Sequence, residues 1–454
     1  MSAPSDAMIE RPVPGTPRAY RFPDFESHTL PNGVRVVIAP VRKLPVATAR
    51  LVMDAGAMTE PRGAEGVARL ASRALLEGTQ SRDADTLAID LERLGASVDA
   101  VASWDLSVLT ATVVANRLPA LVEMMAEMVR TPRFAERDVL RLRGEVLAEL
   151  VSRRAEPRGL ADDMFGRFVY VSESRYASPE DGKRESVATL GPDQVTSFHA
   201  ARMIPHAATL VVVGDVHPPA IIALAERTLG DWTAGPLASV RVIDTSAHER
   251  SRVHLVRRVE APQSELRIGH VGLPRRHPDY FSVTVMNAIL GGLFNSRINL
   301  NLREVHGYTY GAFSAFEWRR AAGPFVVSTA VQSEVTAAAA REVMNEIDRM
   351  RAEPVSSDEL SLAVSYLDGV FPIRYETTEA IAQALTTLIV HELPPDFYDT
   401  YRGHVRAVTL PDVLHAAERH LLPGSMQIVV VGDPDVVRAP LGEGGFGPVE
   451  VVDE

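Results

Sequence analysis

Apolar residues recur along this chain with two different periods, which predict strands and helices in turn. Runs that are apolar at every position or every second position predict strands at 34–39, 47–53 and 208–214. Segments with apolar residues three or four positions apart predict amphipathic helices at 119–130 and 136–154. The pattern restarts in the second half, where we predict strands at 252–259, 264–272, 308–316, 323–332 and 426–432. The chain is therefore expected to combine helices and sheets in both halves.

Two segments half a chain apart have the same order of residues, which indicates an internal repeat. Thr189-Leu-Gly-Pro-Asp-Gln-Val precedes the run Thr-Leu-Val-Val-Val-Gly-Asp215, and Thr409-Leu-Pro-Asp-Val-Leu precedes Gln-Ile-Val-Val-Val-Gly-Asp433. Asp215 and Asp433 lie 218 residues apart in a chain of 454. Each copy predicts a helix, a short loop and a buried strand that ends in Gly-Asp, so we predict two similar domains.

The boundaries of these domains follow from the stretches that lack a clear period. Residues 233–251 are rich in Gly, Pro, Ser and Thr, and we interpret them as a linker between domains at 26–232 and 252–454. Residues 1–25 are rich in Pro, Ser and Ala and are expected to form an N-terminal arm.

Composition and charge exclude several classes of function. The chain has no cysteine, which rules out disulfides, thiolate metal sites and cysteine catalysis. Its net charge of −12 argues against a nucleic-acid partner. No stretch approaches the roughly 18 apolar residues of a membrane span, and residues 1–23 contain no continuous apolar run typical of a signal peptide. We expect a cytoplasmic rather than a periplasmic protein.

The stretch from Gly66 to Thr79 predicts a short amphipathic helix with an unusual polar face. Its apolar residues recur at three- and four-residue spacing, so one face is expected to be buried. Arg69 and Arg73 are four positions apart and share a face, with Ser72 beside them. Taken alone, the two arginines could simply be the solvated face of this helix.

This stretch resembles the active-site helix of the M16 metallopeptidases, the family of pitrilysin, insulinase and mitochondrial processing peptidase. In that family a glycine precedes His-x-x-Glu-His, in which the histidines bind zinc and the glutamate activates water. Arg69 and Arg73 stand here at the histidine positions and Ser72 stands at the glutamate position. The resemblance covers nearly the whole chain and implies an α+β fold of two similar domains, each a mainly antiparallel sheet packed with helices.

The substitutions at these positions argue against a zinc site in this chain. A guanidinium remains protonated at ordinary pH and has no lone pair for a metal, and serine cannot replace the carboxylate base. The family's third zinc ligand falls on Glu149, the one ligand position that is kept. Glu149 could pair with Arg153 on its own helix, or with Arg69 or Arg73 in place of the missing metal. We therefore predict no metal at these degenerate positions.

A second segment, residues 287–311, resembles the family's C-terminal substrate segment closely. An arginine and a tyrosine seven residues apart, here Arg303 and Tyr310, bind the substrate backbone and stabilise the oxyanion in that family. The resemblance also implies substrate contacts for Gly307, Tyr308 and Gly311, and Tyr308 is an alternative for the tyrosine. The competing interpretation is an arginine in a surface ion pair and a tyrosine in the core of a strand.

The two motifs together predict a protein that has lost the zinc motif of this family but keeps its substrate motif. The resemblance implies a non-catalytic subunit that pairs with a zinc-bearing His-x-x-Glu-His subunit, so that zinc is expected in the partner and no cofactor in this chain. The pair would cleave peptides or unfolded chains in an enclosed chamber, and a homodimer is an option when this chain is alone. A peptide-binding or structural assembly protein with no role in hydrolysis is the alternative. The segment from His415 to His420 looks like a damaged His-x-x-Glu-His, but its histidines are five positions apart and cannot bind one metal from the same helix face. We interpret it as a solvated helix end.

Overall fold

The computed structural model describes residues 19–233 and 235–453. Residues 1–18 of the predicted arm lie outside the described residues. The described part of the arm packs on the C-terminal half of the chain, where the buried ring of Phe22 stacks on Tyr398 at 4.7 Å. In these two ranges no helix has both the length and the hydropathy that crossing a membrane requires.

In the described residues, twelve strands form two six-stranded sheets. The N-terminal sheet contains β1 (Glu26–Thr29), β2 (Arg35–Pro40), β3 (Val46–Met53), β4 (Ser97–Ala102), β5 (Ser107–Val114) and β6 (Ala208–Gly214). The C-terminal sheet contains β7 (Arg252–Arg257), β8 (Gln263–Val271), β9 (Ala312–Phe316), β10 (Pro324–Gln332), β11 (Gln427–Gly432) and β12 (Val449–Val452).

Sixteen α-helices of the described ranges cover the sheets. The first half contains α1 (Val67–Ala74), α2 (Ala84–Leu94), α3 (Leu118–Arg130), α4 (Glu136–Ala155), α5 (Pro157–Val169), α6 (Arg184–Val187), α7 (Pro192–Arg202) and α8 (Pro218–Leu229). The second half contains α9 (Tyr280–Asn287), α10 (Arg297–Asn299), α11 (Thr336–Ala352), α12 (Ser357–Arg374), α13 (Thr378–Val390), α14 (Phe397–Ala407), α15 (Leu410–His420) and α16 (Pro434–Glu443).

The two sheets have the same strand order apart from one edge strand. The orders are β1-β2-β6-β3-β5-β4 and β12-β7-β11-β8-β10-β9. In each sheet the strand of the sequence repeat runs parallel to one neighbour, with Pro40 opposite Gly214 and Arg257 opposite Gly432. Most of the other pairings are antiparallel. The predicted α+β fold with two similar domains is therefore confirmed.

Each half of the chain places one helix on the sheet of the other half. α5 packs on β8 and β11 of the C-terminal sheet, where Leu160 and Phe165 are buried against Val429 and Val431. α13 packs on β3 and β6 of the N-terminal sheet, and Thr378 Oγ1 lies 2.8 Å from Thr48 Oγ1. Because both faces of each sheet are covered, the central strands are buried on both sides.

The structure differs from the predicted elements most clearly around residue 308. The predicted strand at 308–316 begins only at Ala312, so Tyr308 and Tyr310 do not share a strand face. Gly307 adopts φ +66°, and Thr309 Oγ1 accepts from Gly311 N at 3.1 Å, which forms a turn in place of extended backbone. α9 continues as a π-helical segment at Ala288–Gly292, and a second one follows α10 at Leu300–Val305.

The predicted linker, described at 233 and 235–251, runs over the surface as irregular chain up to an isolated bridge. Val171 N donates to Thr245 O at 3.1 Å, so the linker follows the end of α5. Asp244 then accepts from Ala322 N at 2.9 Å. The linker thus contacts both halves of the molecule.

Candidate functional site

The helix at the zinc-motif position, α1, is held tightly at its N-terminus. Gly66 adopts φ +100°, and a Cβ at this position would lie 2.7 Å from Val187 Cγ2. Glu60 accepts hydrogen bonds from Gly66 N at 3.0 Å and Ala68 N at 2.9 Å, which satisfies two free donors of the helix start. The Arg175 guanidinium binds Glu60 Oε2 through two nitrogens at 2.9 and 2.6 Å. This pair is almost fully buried.

Glu60 and Arg175 were missed by sequence reasoning. They are 115 positions apart, and neither belongs to a recognisable motif. No local signal in the sequence could have found this pair, because only the tertiary fold brings the two side chains together.

The three charged side chains of the degenerate motif form one cluster. Glu149 on α4 binds both arginines of α1: its Oε2 accepts from Arg69, and Arg73 donates to its two oxygens at 2.9 and 3.1 Å. Hydrogen bonding from Arg73, reinforced by the charge of Arg69, holds the pKa of Glu149 below its usual 4.5. The carboxylate therefore stays ionised at neutral pH and is shared between two cations.

Ser72 does not join this cluster. Its side chain is 1% exposed, and its Oγ lies 2.9 Å from Ser107 Oγ, which in turn donates to Ala55 O at 2.7 Å. The hydroxyl is thus used inside the N-terminal core, and no carboxylate stands at the position of the catalytic base.

The ion pairs continue away from α1 toward the boundary between the two halves. Arg69 also binds Asp181 at 2.6 Å, and Asp181 binds Arg153 at 3.1 Å. Arg153 reaches Asp163 at 3.1 Å, so it pairs with these two acids rather than with Glu149. Burial raises the pKa of Asp163 to about 6 despite the charge of Arg153. An alternating series of three arginines and three acids results.

The donor set at the motif does not fit a zinc ion. Zinc binds imidazole, thiolate or carboxylate ligands, usually four in number. Glu149 is the single such group in the cluster, and both of its oxygens are occupied by guanidinium groups. The side chains at these positions therefore pair with one another and, through Arg69, with Asp181, and they leave no ligand set for a metal.

The arginine of the second motif lies in the π-helical segment Leu300–Val305. Arg303 is 31% exposed, its guanidinium lies 4.3 Å from the centre of the Phe294 ring, and it pairs with Glu304 at 2.9 Å. The i→i+5 hydrogen bond of this segment runs from His306 N to Asn301 O at 3.1 Å. π-Helical turns occur frequently at functional sites.

The tyrosine of the second motif projects into solvent. Tyr310 is 98% exposed and makes no hydrogen bond to any residue in 19–233 or 235–453. Tyr308 instead stacks on His306 at 4.9 Å, and its N donates to Leu302 O at 2.8 Å. Arg303 and Tyr310 do not contact each other among the described residues.

Large apolar side chains are exposed around this segment. We call this group the apolar rim, and it consists of Phe294, Leu300, Val305 and Phe313. Phe294 is 62% and Val305 74% exposed. Where exposed apolar side chains form a contiguous patch on a soluble protein, that patch marks an interaction surface.

Hydrogen bonds fix the helix α10, next to the apolar rim, to the rest of the C-terminal half. Asn299 Oδ1 accepts from Ala312 N at 3.0 Å, which ties α10 to the start of β9. Arg297, at the start of α10, donates to both oxygens of Glu359 at 2.6 and 3.0 Å. Hydrogen bonding from Arg297 lowers the pKa of Glu359 to about 2.

A cavity of about 300 Å³ lies between the two halves, next to the ion-pair series. Asp163 and Arg153 line it from the N-terminal half, and Arg319 and Arg267 from the C-terminal half. Burial raises the pKa of Glu180, another lining residue, to about 7.

Two family models match this chain and together span more than half of it. The model for insulinase (peptidase family M16) matches residues 35–170, and that for the peptidase M16 inactive domain matches residues 189–367. An uncharacterized zinc protease of Mycobacterium tuberculosis is 25% identical over 445 residues, which cover 96% of this chain and 100% of the relative. The mitochondrial-processing peptidase subunit beta of Mus musculus is 23% identical over 310 residues, 65% of this chain and 61% of the relative.

Solved structures have the same fold. The crystal structure of a peptidase M16 inactive domain from Pseudomonas fluorescens has a TM-score of 0.84 at 25% identity, covering 90% of this chain and 98% of that chain. A protease from Helicobacter pylori has a TM-score of 0.84 at 18% identity, covering 90% and 100%, and shows the likeness of fold alone. The repeat, the fold, the family models and the relatives agree: this chain belongs to peptidase family M16.

Proposed function

We propose that this chain is the substrate-binding and oxyanion-stabilising subunit of a two-chain zinc metalloendopeptidase whose zinc is held by the other subunit. The observation that carries the proposal is the contrast between its two motifs. The zinc-motif positions are occupied by arginines that share Glu149, whereas Tyr310 of the substrate motif is exposed and unpaired in the described residues.

The chemistry of Arg303 and Tyr310 suits the role of oxyanion stabilisers. A guanidinium offers several N–H donors and a phenol offers one O–H donor to the oxygen on which negative charge develops. Arg303 must leave Glu304 to do so. Because this pair is part-exposed, it contributes little to stability, and a carbonyl or oxyanion of the substrate can compete for the guanidinium.

The strand next to Tyr310 offers a place for an extended peptide. β9 is the edge strand of the C-terminal sheet and pairs only with β10 in the described chain. On the outer edge of β9, Ala312 N and Ser314 O are bonded to the side chains of Asn299 and Asn287 at 3.0 Å each. A peptide added as a further strand would exchange these two bonds for its own backbone bonds, while Phe313 on the exposed face contacts the peptide side chains. Such binding selects peptides and unfolded chains, because a folded substrate has no free strand to offer.

The partner is proposed to be a zinc-bearing M16 subunit with an intact His-x-x-Glu-His motif. The proposal rests on the missing metal ligands of this chain and on the zinc proteases among its relatives. The two subunits would enclose the peptide, so that the partner supplies metal and base and this chain supplies Arg303 and Tyr310.

The deciding experiment measures cleavage of a quenched fluorogenic peptide library. The chain is assayed alone and mixed with a candidate His-x-x-Glu-His subunit, with zinc and with chelator, and the oligomeric state is measured in parallel. We expect no cleavage by the chain alone and chelator-sensitive cleavage by the mixture. Arg303→Ala should reduce this cleavage, and Arg227→Ala, which removes another exposed ion-paired arginine, should leave it unchanged.

Two outcomes contradict the proposal. Robust cleavage by the chain alone would show that it has its own catalytic centre. A stable complex whose cleavage does not respond to Arg303→Ala would favour the alternative, a structural assembly protein. The observation on the side of this alternative is that Arg303 is already engaged by Glu304 and Phe294.

A further inference from the structure

Two histidines and an aspartate meet in the C-terminal half, away from both motifs. His420 Nε2, at the end of α15, donates to Asp279 Oδ2 at 2.7 Å. Nδ1 of His277 lies 4.0 Å from the same carboxylate oxygen. Each of the three residues offers a ligand atom within 4.8 Å of those of the other two. In residues 19–233 and 235–453 this is the one group of three or more potential metal ligands that lie so close.

The positions of these three side chains are set by separate elements. His277 lies in the loop after β8, Asp279 immediately precedes α9, and His420 is the last residue of α15. α9 and α15 pack against each other, which fixes the meeting point. The side chain of His420 is only 7% exposed, contrary to the solvated helix end that the sequence suggested.

Asp279 precedes α9 but does not cap it with its side chain. An aspartate before a helix normally accepts a hydrogen bond from the backbone of the first turn. The Asp279 side chain makes no such bond to α9 and faces the histidines instead. Its carboxylate is therefore available to the cluster and not to the helix that it precedes.

We propose that His277, Asp279 and His420 form a binding site for a divalent transition-metal ion, with zinc as the first candidate. Two imidazoles and one carboxylate are a preferred ligand set for zinc, with a fourth position left for water. Zinc bonds of roughly 2.0–2.2 Å in tetrahedral geometry place ligand atoms about 3.3 Å apart. The distances of 2.7 and 4.0 Å from Asp279 to His420 and His277 lie on either side of this value, and the two histidine atoms lie within 4.8 Å of each other.

A cavity of about 370 Å³ lies beside the cluster, and His277 lines it together with Tyr280 and Phe397. The side chains of His277 and Asp279 are 22% and 25% exposed, so the cluster is open to solvent although His420 is buried.

Three neighbouring groups determine how strong the site can be. Arg419 lies 3.4 Å from Asp279 and repels a cation, but its side chain is 54% exposed and can turn away. Asp279 N donates to His277 Nδ1 at 3.1 Å, and a cation must displace this bond, so His277 is the weakest ligand. His270 is no ligand, because Nδ1 is bonded to Val271 O and Nε2 accepts from Leu422 N.

The test is a zinc titration of the full, chelator-treated chain by isothermal calorimetry, followed by the absorption spectrum with cobalt(II). We expect one site with a dissociation constant below about 10 µM and the visible bands of tetrahedral cobalt. Asp279→Asn, which keeps the volume of the side chain, and His420→Ala should weaken zinc binding more than about tenfold. His277→Ala should have the smaller effect, and Arg419→Ala should tighten binding.

The control is His415→Ala, which removes another histidine of α15 outside the cluster and should leave zinc binding unchanged. Zinc should raise the melting temperature of the wild type but not of Asp279→Asn, which also shows whether that variant is folded. Equal zinc binding by wild type, Asp279→Asn and His420→Ala, or no stoichiometric site, would overturn the proposal. Chelator-sensitive cleavage by the two-subunit mixture should persist with Asp279→Asn, so this proposal and the proposed function fail independently.

Discussion

The α1–α4 cluster and the Arg303–Tyr310 segment differ in how far their polar side chains are paired within the molecule. In the first, Arg69 and Arg73 are bound by Glu149, and the ion pairs continue through Asp181. In the second, Tyr310 has no intramolecular partner in the described chain, and the exposed side chains of the apolar rim belong to the same stretch of sequence. The charged side chains of the first region are thus paired with one another, whereas the second region leaves Tyr310 unpaired in the described residues and Arg303 in a part-exposed pair with Glu304.

The comparison also separates chemistry from architecture. The helix that resembles the family's zinc-binding helix has a buried support in Glu60 and Arg175, although arginines stand at the ligand positions. The need to pack α1 against the N-terminal sheet remains when the metal is gone, because the core residues of α1 are fully buried. The predictions below test each part of this contrast, in descending order of expected effect.

Arg175→Met should have the largest effect, on stability. Removing the guanidinium leaves Glu60 buried without its partner at the start of α1, and breaking a buried pair costs about 3–5 kcal/mol. Urea denaturation measures the loss in the free energy of unfolding. The control is Arg227→Met, whose exposed pair with Glu123 should contribute less than about 1 kcal/mol. Similar losses for both variants would show that α1 does not depend on this buried support.

Tyr310→Phe should have the next largest effect, on catalysis by the mixed subunits. Removing one donor to the oxyanion typically lowers kcat by about 100-fold or more, and KM should change little because the bond forms only in the transition state. Tyr308→Phe should leave kcat unchanged, since its ring is held against His306. If Tyr308→Phe lowers kcat and Tyr310→Phe does not, Tyr308 is the oxyanion donor. The exposure of Tyr310 would then have no role in catalysis.

The fold was largely predictable from the sequence because periodicity and repetition report local structure. The buried strands at 208–214 and 426–432 agree with β6 and β11 to within a residue, and the repeat correctly indicated two similar sheets. The exchange of α5 and α13 between the halves was not predictable. An amphipathic pattern shows that a helix has a buried face, but not which sheet covers it.

The candidate site was predictable only where a motif carried it. The family resemblance indicated Arg69, Arg73 and Glu149 as neighbours, and the structure brings them into contact. Asp181 and the Glu60–Arg175 pair depend on long-range contacts that leave no local signal. The strand predicted at 308–316 was wrong at its start because Gly307 and Thr309 form a turn that competes with extended backbone.

Glu359→Gln tests the ion pair with Arg297, which holds the substrate segment in place. The folded state lowers the pKa of Glu359 from 4.5 to about 2, so its contribution to stability is fully present above pH 4.5 and is lost as the pH falls toward 2. The substitution removes the charge-assisted bonds to Arg297 and should cost about 2 kcal/mol at pH 7. The difference from wild type should shrink between pH 4.5 and 2 in urea denaturation.

Ser356→Ala separates the two functions of Glu359 in this prediction. Ser356 forms the capping box of α12 with Glu359, and its loss should cost about 1 kcal/mol without the same pH dependence. An equal pH dependence for both variants would assign the effect to the cap and not to the pair with Arg297.

Glu149→Gln has the smallest expected effect, and it tests the α1–α4 cluster most directly. The cluster is part-exposed, so solvent screens it, and we expect a loss of about 1 kcal/mol at pH 7. The folded pKa of Glu149 lies below 4.5, so this loss should be constant from pH 5 to 8 and should shrink only below pH 4.5. Thermal and urea denaturation measure it.

The matched control is Glu145→Gln, which removes an exposed i,i+4 partner of Arg141 one turn earlier on the same helix and should cost less than about 0.5 kcal/mol. If Glu149→Gln is no more costly than this control, the carboxylate does not hold the two arginines of α1 together. Arg69 and Arg73 would then be ordinary solvated side chains, and the molecule would present two open surfaces instead of one neutralised and one open. The pairing of Glu149 with the two arginines would then no longer support a zinc-bearing partner subunit. Only the absence of zinc ligands in this chain would support it.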